Sequence, residues 1–138
     1  MSMNPSTLKD KSYIAGRCNI GDDEVKVRKK LLFISIIATM FSTSFCFIVG
    51  CSFFTLALVW LSLAFSFLLL IEIVQRFCVF FGIFNIYNFG KAGELNDVES
   101  CRCIHKDRKK AFLLILLSFI VATALTYAAY RLIENLMG

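Results

Sequence analysis

Six cysteines and one histidine are the side chains of this sequence best suited to chemistry. Cys101-Arg102-Cys103-Ile104-His105 places two thiols and an imidazole within five residues. Both are good ligands for zinc or another soft metal. C-x-C is tighter than the usual C-x₂₋₄-C, so a fourth ligand would have to come from Cys18 or Cys78. Basic neighbours favour the thiolate, which equally suits thiol redox chemistry. Reversible acylation of juxtamembrane cysteines is a third use. The plainer reading is a polar loop, and no cofactor is expected. Cys46 and Cys51 flank the end of an apolar run, and no bond is assigned between them.

A second candidate is Ala15-Gly16-Arg17-Cys18-Asn19-Ile20-Gly21, just ahead of an expected helix start. Backbone N–H groups there can bind an anion. Gly16, Arg17, Asn19 and Gly21 would suit a phosphate or a lipid headgroup, although no phosphate-loop pattern is matched. The plainer reading is a structured turn. No Ser/His/Asp set, paired carboxylates or nucleotide-binding loop is visible, so an enzyme is not expected.

The elements that position these residues follow from charge patterning. Of 138 residues, 58% are apolar and 18% charged, and the apolar ones are bunched. Residues 31–50, 53–71 and 111–130 carry no charge. Each run makes roughly 30 Å of helix, enough to cross a bilayer. A soluble bundle would need a polar face on each helix. An all-α membrane protein with three transmembrane helices is therefore expected, with spans at about 31–50, 53–74 and 111–130. Gly50-Cys51-Ser52 turns the first two into a hairpin. Residues 1–21 form an N-terminal segment, 22–138 the transmembrane domain and 75–110 an interfacial segment and loop.

The basic residues fall in two blocks. One holds Lys9, Lys11, Arg17, Lys26, Arg28, Lys29 and Lys30; the other holds Arg76, Lys91, Arg102, Lys106, Arg108, Lys109 and Lys110. Three spans put both blocks on one side, which the positive-inside rule makes the cytoplasm. The C-terminus is then outside, and the cytoplasmic face meets anionic lipid. This placement accounts for the net charge of +5 without nucleic acid. Asp22-Asp23-Glu24 start the first helix well below the membrane, and Asp107 starts the third. Glu72 and Arg76, four apart, are expected to pair at the interface. The stretch 77–89 is too short to span; it extends the second helix, lies in the interface or re-enters. Residues 94–107 read as a loop.

Small and hydroxyl residues recur at helical spacing on each span: Ser35, Thr39 and Thr43; Thr55, Ser62 and Ser66; Ser118, Ala122 and Thr126. Such stripes pack helices in lipid.

From Ala15 to Val25 the chain resembles a group of small bacterial inner-membrane proteins of uncharacterised function. Their start is similar, A-G-x-C-N-I-G-x-x-E-[IV]. Arg76-Phe77-Cys78, Asn88-Phe89-Gly90 and Asp107-Arg108-Lys109-Lys110-Ala111 extend the likeness, whereas Cys101 and Cys103 fall outside the pattern. The resemblance implies a bacterial inner-membrane setting and no activity. Three functions follow: a non-enzymatic accessory protein with a membrane-protein partner, a thiol or metal site protein, and a small pore or transporter built as a homo-oligomer.

Overall fold

The computed structural model describes residues 13–98 and 100–138. Lys9 and Lys11 of the first basic block, with most of the expected N-terminal segment, lie outside them. The order is α1 (Asp22–Val49), α2 (Phe53–Gln75), α3 (Val79–Phe84), β1 (Ile86–Tyr87), β2 (Asn96–Asp97) and α4 (Cys101–Met137). Helices α1, α2 and α4 are each long and apolar enough to cross a membrane. The two short strands pair antiparallel, Ile86 with Asp97 and Tyr87 with Asn96, a small departure from an all-α chain.

Local chemistry sets the helix ends. Asp22, Asp23 and Glu24 occupy the first turn of α1, where the dipole favours acids. Gly50 ends it at φ +101°, a conformation glycine adopts without strain. Ser52 and Thr55 then cap α2 reciprocally: Ser52 N donates to Thr55 Oγ1 at 2.9 Å, and Thr55 N to Ser52 Oγ at 3.3 Å. At the far end Arg76 leaves α2 in the left-handed region, φ 50°, and Phe77 N reaches back to Glu72 O at 3.1 Å. This is the closing bond of a Schellman motif.

The chain divides into two compact units, one of them formed by residues 13–28 with 72–113. Residues 13–21 thus fold together with the loop region. Two further expectations change. Helix α4 begins at Cys101, so Asp107 lies inside it rather than starting it, and residues 94–107 are not one loop. The stretch 77–89 makes the short α3, capped at its C-terminus by left-handed Asn85, and then β1. Ile20, Val25 and Cys78 form this unit's apolar centre, with Ile73 and Phe81 against it.

The other unit comprises Lys29–Ile71 with Leu114–Gly138. Here hydroxyls of α1 and α2 meet. Ser35 and Ser66 share a hydrogen bond, Thr39 Oγ1 lies 3.2 Å from Ser66 Oγ, and Ser42 Oγ lies 3.1 Å from Ser62 Oγ. Thr43 bonds only to Thr39 O, within its own helix. Thr55 is taken up by the turn. On α4, Leu114, Ser118 and Ala122 are buried along one side, and Trp60 Nε1 donates to Thr123 Oγ1 at 3.0 Å. Phe33, Phe41, Ile48, Phe54 and Ile120 point outward, as lipid-facing residues do.

Gly82 shows how tightly the first unit is built. A Cβ there would lie 2.8 Å from Phe77 Cζ and 3.1 Å from the backbone oxygen of Asp107. Gly82→Ala is expected to destabilise this unit by roughly 1–3 kcal/mol, as overpacked sites do. Thermal unfolding in mild detergent measures it; an unchanged transition would mean that α3 and α4 separate freely.

Candidate functional site

Two carboxylates of the first unit converge on a single buried guanidinium. Arg28 sits one turn after Glu24 on α1, and Nη1 donates to Glu24 Oε2 at 2.6 Å. Its Nε donates to Glu72 Oε2, near the end of α2, at 3.2 Å. The guanidinium also lies 5.3 Å from the centre of the Phe81 ring. All three charged residues are buried.

One cation cannot satisfy two carboxylates, and neutral donors complete the shell. Glu24 Oε1 accepts Asn88 Nδ2 at 2.9 Å and Gly93 N at 3.0 Å. Glu72 Oε1 accepts Val79 N at 2.9 Å and so caps α3 from a distance. Burial pushes the Glu24 carboxyl up, but Arg28, Gly93 and Asn88 together hold it below its ordinary value.

Two asparagines act as splints around this centre. Asn19 Oδ1 accepts Cys78 N at 2.7 Å, and Asn19 Nδ2 donates to Cys78 O at 3.0 Å. The side chain thus imitates a strand partner for the α2–α3 connection. Asn88 bonds through its backbone to Asn19 O and Gly21 N, at 2.9 and 2.7 Å. Its Oδ1 accepts Gly90 N, and its Nδ2 also reaches Lys91 O. A Cβ on Gly21 would come within 3.0 Å of Phe89 Cα, so glycine permits the close approach.

Asp107 clamps the N-terminal strap. Fully buried on α4, it accepts the Tyr13 hydroxyl and Gly16 N, the latter at 2.6 Å. One turn on, Lys110 Nζ donates to Arg17 O at 2.9 Å and lies 4.7 Å from the centre of the Phe77 ring. Burial, joined by the Asp107 carboxylate, pushes the Tyr13 hydroxyl well above the usual phenol range.

Several sequence expectations are corrected here. Glu72 does not pair with Arg76. Helix α2 stops at Gln75, so Arg76 no longer lies on Glu72's face; its guanidinium meets Asp22 at 2.9 Å instead. Among the described residues no group of three or more His, Cys, Asp or Glu is placed to hold a metal. Cys78 is buried beside Asn19, while Cys101 and His105 are exposed on α4. Burial and the Glu72 carboxylate push the Cys78 thiol up, against thiolate chemistry. The proposed anion-binding N–H groups are engaged within the protein: Gly16 to Asp107, Asn19 to Arg76 O and Gly21 to Asn88 O. Arg17 alone of that set is exposed.

Glu24, Arg28, Asn88 and Asp107 are the residues that sequence reasoning did not single out as a site. Glu24 and Arg28 at i, i+4 carried a signal; Asn88 and Asp107 lay in segments of the family likeness. Chemically the centre holds segments together: both carboxylate oxygens of Glu24 and of Glu72 accept hydrogen bonds from within the unit.

Arg28→Met would leave two buried carboxylates without their cation and is expected to destabilise the unit by roughly 3–5 kcal/mol. Adding Glu72→Gln should recover part of that loss in denaturant titrations. Glu24 contributes stability above its ordinary value of 4.5, lost as pH falls through the lower value it has in the fold. The unfolding temperature should therefore drop as pH falls below that ordinary value, and drop less in Glu24→Gln. Equal drops in both proteins would assign the acid sensitivity elsewhere.

No protein-family model, no curated protein and no solved structure matches this chain.

Proposed function

We propose that this chain is a multi-pass protein of a bacterial inner membrane. In this reading the 13–28/72–113 unit is cytoplasmic and the C-terminus lies outside. It carries out no reaction of its own and presents a basic face to a membrane-protein partner at an anionic leaflet.

One observation carries the reading. The buried carboxylates Glu24, Glu72 and Asp107 are all engaged internally, and apart from Arg28 and the half-buried Lys110 the basic residues of this unit are exposed among those described. Arg102, Lys106 and Lys109 are exposed at i, i+4 and i+7 on α4, so they share one helix face. Arg17, Arg76 and Arg108 are exposed as well. A row of this kind suits lipid phosphates and an acidic partner surface. The positive-inside rule gives the orientation.

Within the apolar unit, Leu56, Ala57, Trp60, Leu61, Thr126 and Tyr127 line a groove of about 570 Å³. Thr126 Oγ1 is buried beside it with no hydrogen-bond partner. A partner helix carrying a polar side chain would cover the groove and satisfy that hydroxyl.

The test is purification from the native host in mild detergent, for the wild type and for Lys106→Glu/Lys109→Glu. The wild type should retain a stoichiometric membrane protein. The double variant should lose it at least tenfold while unfolding at the same temperature. A purified chain that alone catalyses, conducts ions or binds metal would overturn the reading, as would a partner indifferent to both charge reversals.

A further inference from the structure

The turn joining α1 to α2 holds two thiols that nothing described so far uses. Cys46, on the last turn of α1, is 1% exposed. Its Sγ lies 3.1 Å from the Sγ of Cys51, which is half-buried in the turn. The approach is set by the backbone. Gly50, at φ +101°, folds the chain back, and its N–H bonds to Cys46 O at 3.0 Å. Val59 and Ile133 are buried in the same cluster, with Leu56 and Leu63 packed against it. Both cysteines are free thiols in this structure.

We propose that Cys46 and Cys51 form a reversible dithiol–disulfide site that exchanges with a small disulfide. A bond between them needs the sulfurs to close to about 2.05 Å, a short displacement from the observed contact. Burial assigns the roles. Cys51, the more accessible, loses its proton and attacks the incoming disulfide, releasing one thiolate. Cys46 then loses its proton and attacks the Cys51 sulfur, releasing the second. Two protein thiols become one disulfide, the reagent's disulfide becomes two thiols, and the released thiolates take up the two protons. Burial and the neighbouring Cys46 raise the Cys51 thiol to about 11, so exchange is slow at neutral pH and accelerates as pH rises. The compartment rests on the orientation proposed above, which puts this turn on the outer, oxidising side.

The test uses the full chain in native membranes. No Lys or Arg lies between Lys30 and Arg76, so trypsin releases residues 31–76 as one peptide whose only cysteines are Cys46 and Cys51. Membranes are incubated with oxidised glutathione and blocked with N-ethylmaleimide, and the peptide is weighed. The expected peptide carries neither label nor glutathione and is lighter by two hydrogens. Cys46→Ser should instead hold one glutathione on Cys51. A wild-type peptide with two labels, or with one glutathione on each cysteine, would overturn the site. Orientation is read separately, with a membrane-impermeant maleimide on intact reduced cells. Labelling of Cys51 and not of Cys101 supports the outer placement. Labelling of Cys101 alone, with the disulfide still formed in membranes, would sink the orientation and leave the dithiol site standing.

Discussion

Arg28 is a full charge withdrawn from water close to where α1 becomes wholly apolar, and the order of its unit depends on how that charge is met. A lone buried guanidinium would carry a desolvation penalty of several kcal/mol. Glu24 and Glu72 answer it with two carboxylates, one from the same helix and one from the end of α2. That leaves an excess negative charge, spread over N–H donors from Asn88, Gly93 and Val79. Four chain segments are thereby tied to one point. Buried ions of this kind add little net stability compared with apolar packing, and their strength lies in tolerating a single arrangement.

The apolar unit uses polarity differently. Its side-chain hydrogen bonds between α1 and α2 are made by neutral hydroxyls of serine and threonine. Such groups also bond to carbonyls of their own helix, as Thr39 does to Ser35 O and Ser66 to Ser62 O. They therefore stay satisfied even when the helices part, which keeps their net contribution small in lipid. Among the described residues the buried charges, Glu24, Arg28, Glu72 and Asp107, all lie in the first unit, and the serine and threonine pairs between helices lie in the other.

The long elements were legible because their signals are local. Uncharged runs of about 20 residues, the acids at Asp22–Glu24 and the Gly50 turn each act over a few residues, and α1 and α2 begin and end where those signals stand. What was not legible depended on tertiary partners. Nothing in the neighbours of Arg76 announces a left-handed conformation; that geometry comes with Asn19 and Ile20 N–H groups docking on its carbonyl. The first turns of α4 have the polar sequence of a loop. They are helical where Asp107 is buried against the N-terminal strap. The Gly16–Gly21 segment resembled an anion cradle because its N–H donors are visible in sequence and their protein acceptors are not.

The strap has a consequence for timing. Gly16 and Asp107 are 91 residues apart, so the clamp cannot close until Asp107 has left the ribosome. At synthesis rates of about 5–20 residues per second, the N-terminal segment waits roughly 5–20 s for its acceptor. During that interval the first two helices can already be in the bilayer, with the strap unanchored beside them. Closure of the Asp107 clamp is thus a late event in biogenesis, and a chain truncated before α4 would lack it entirely.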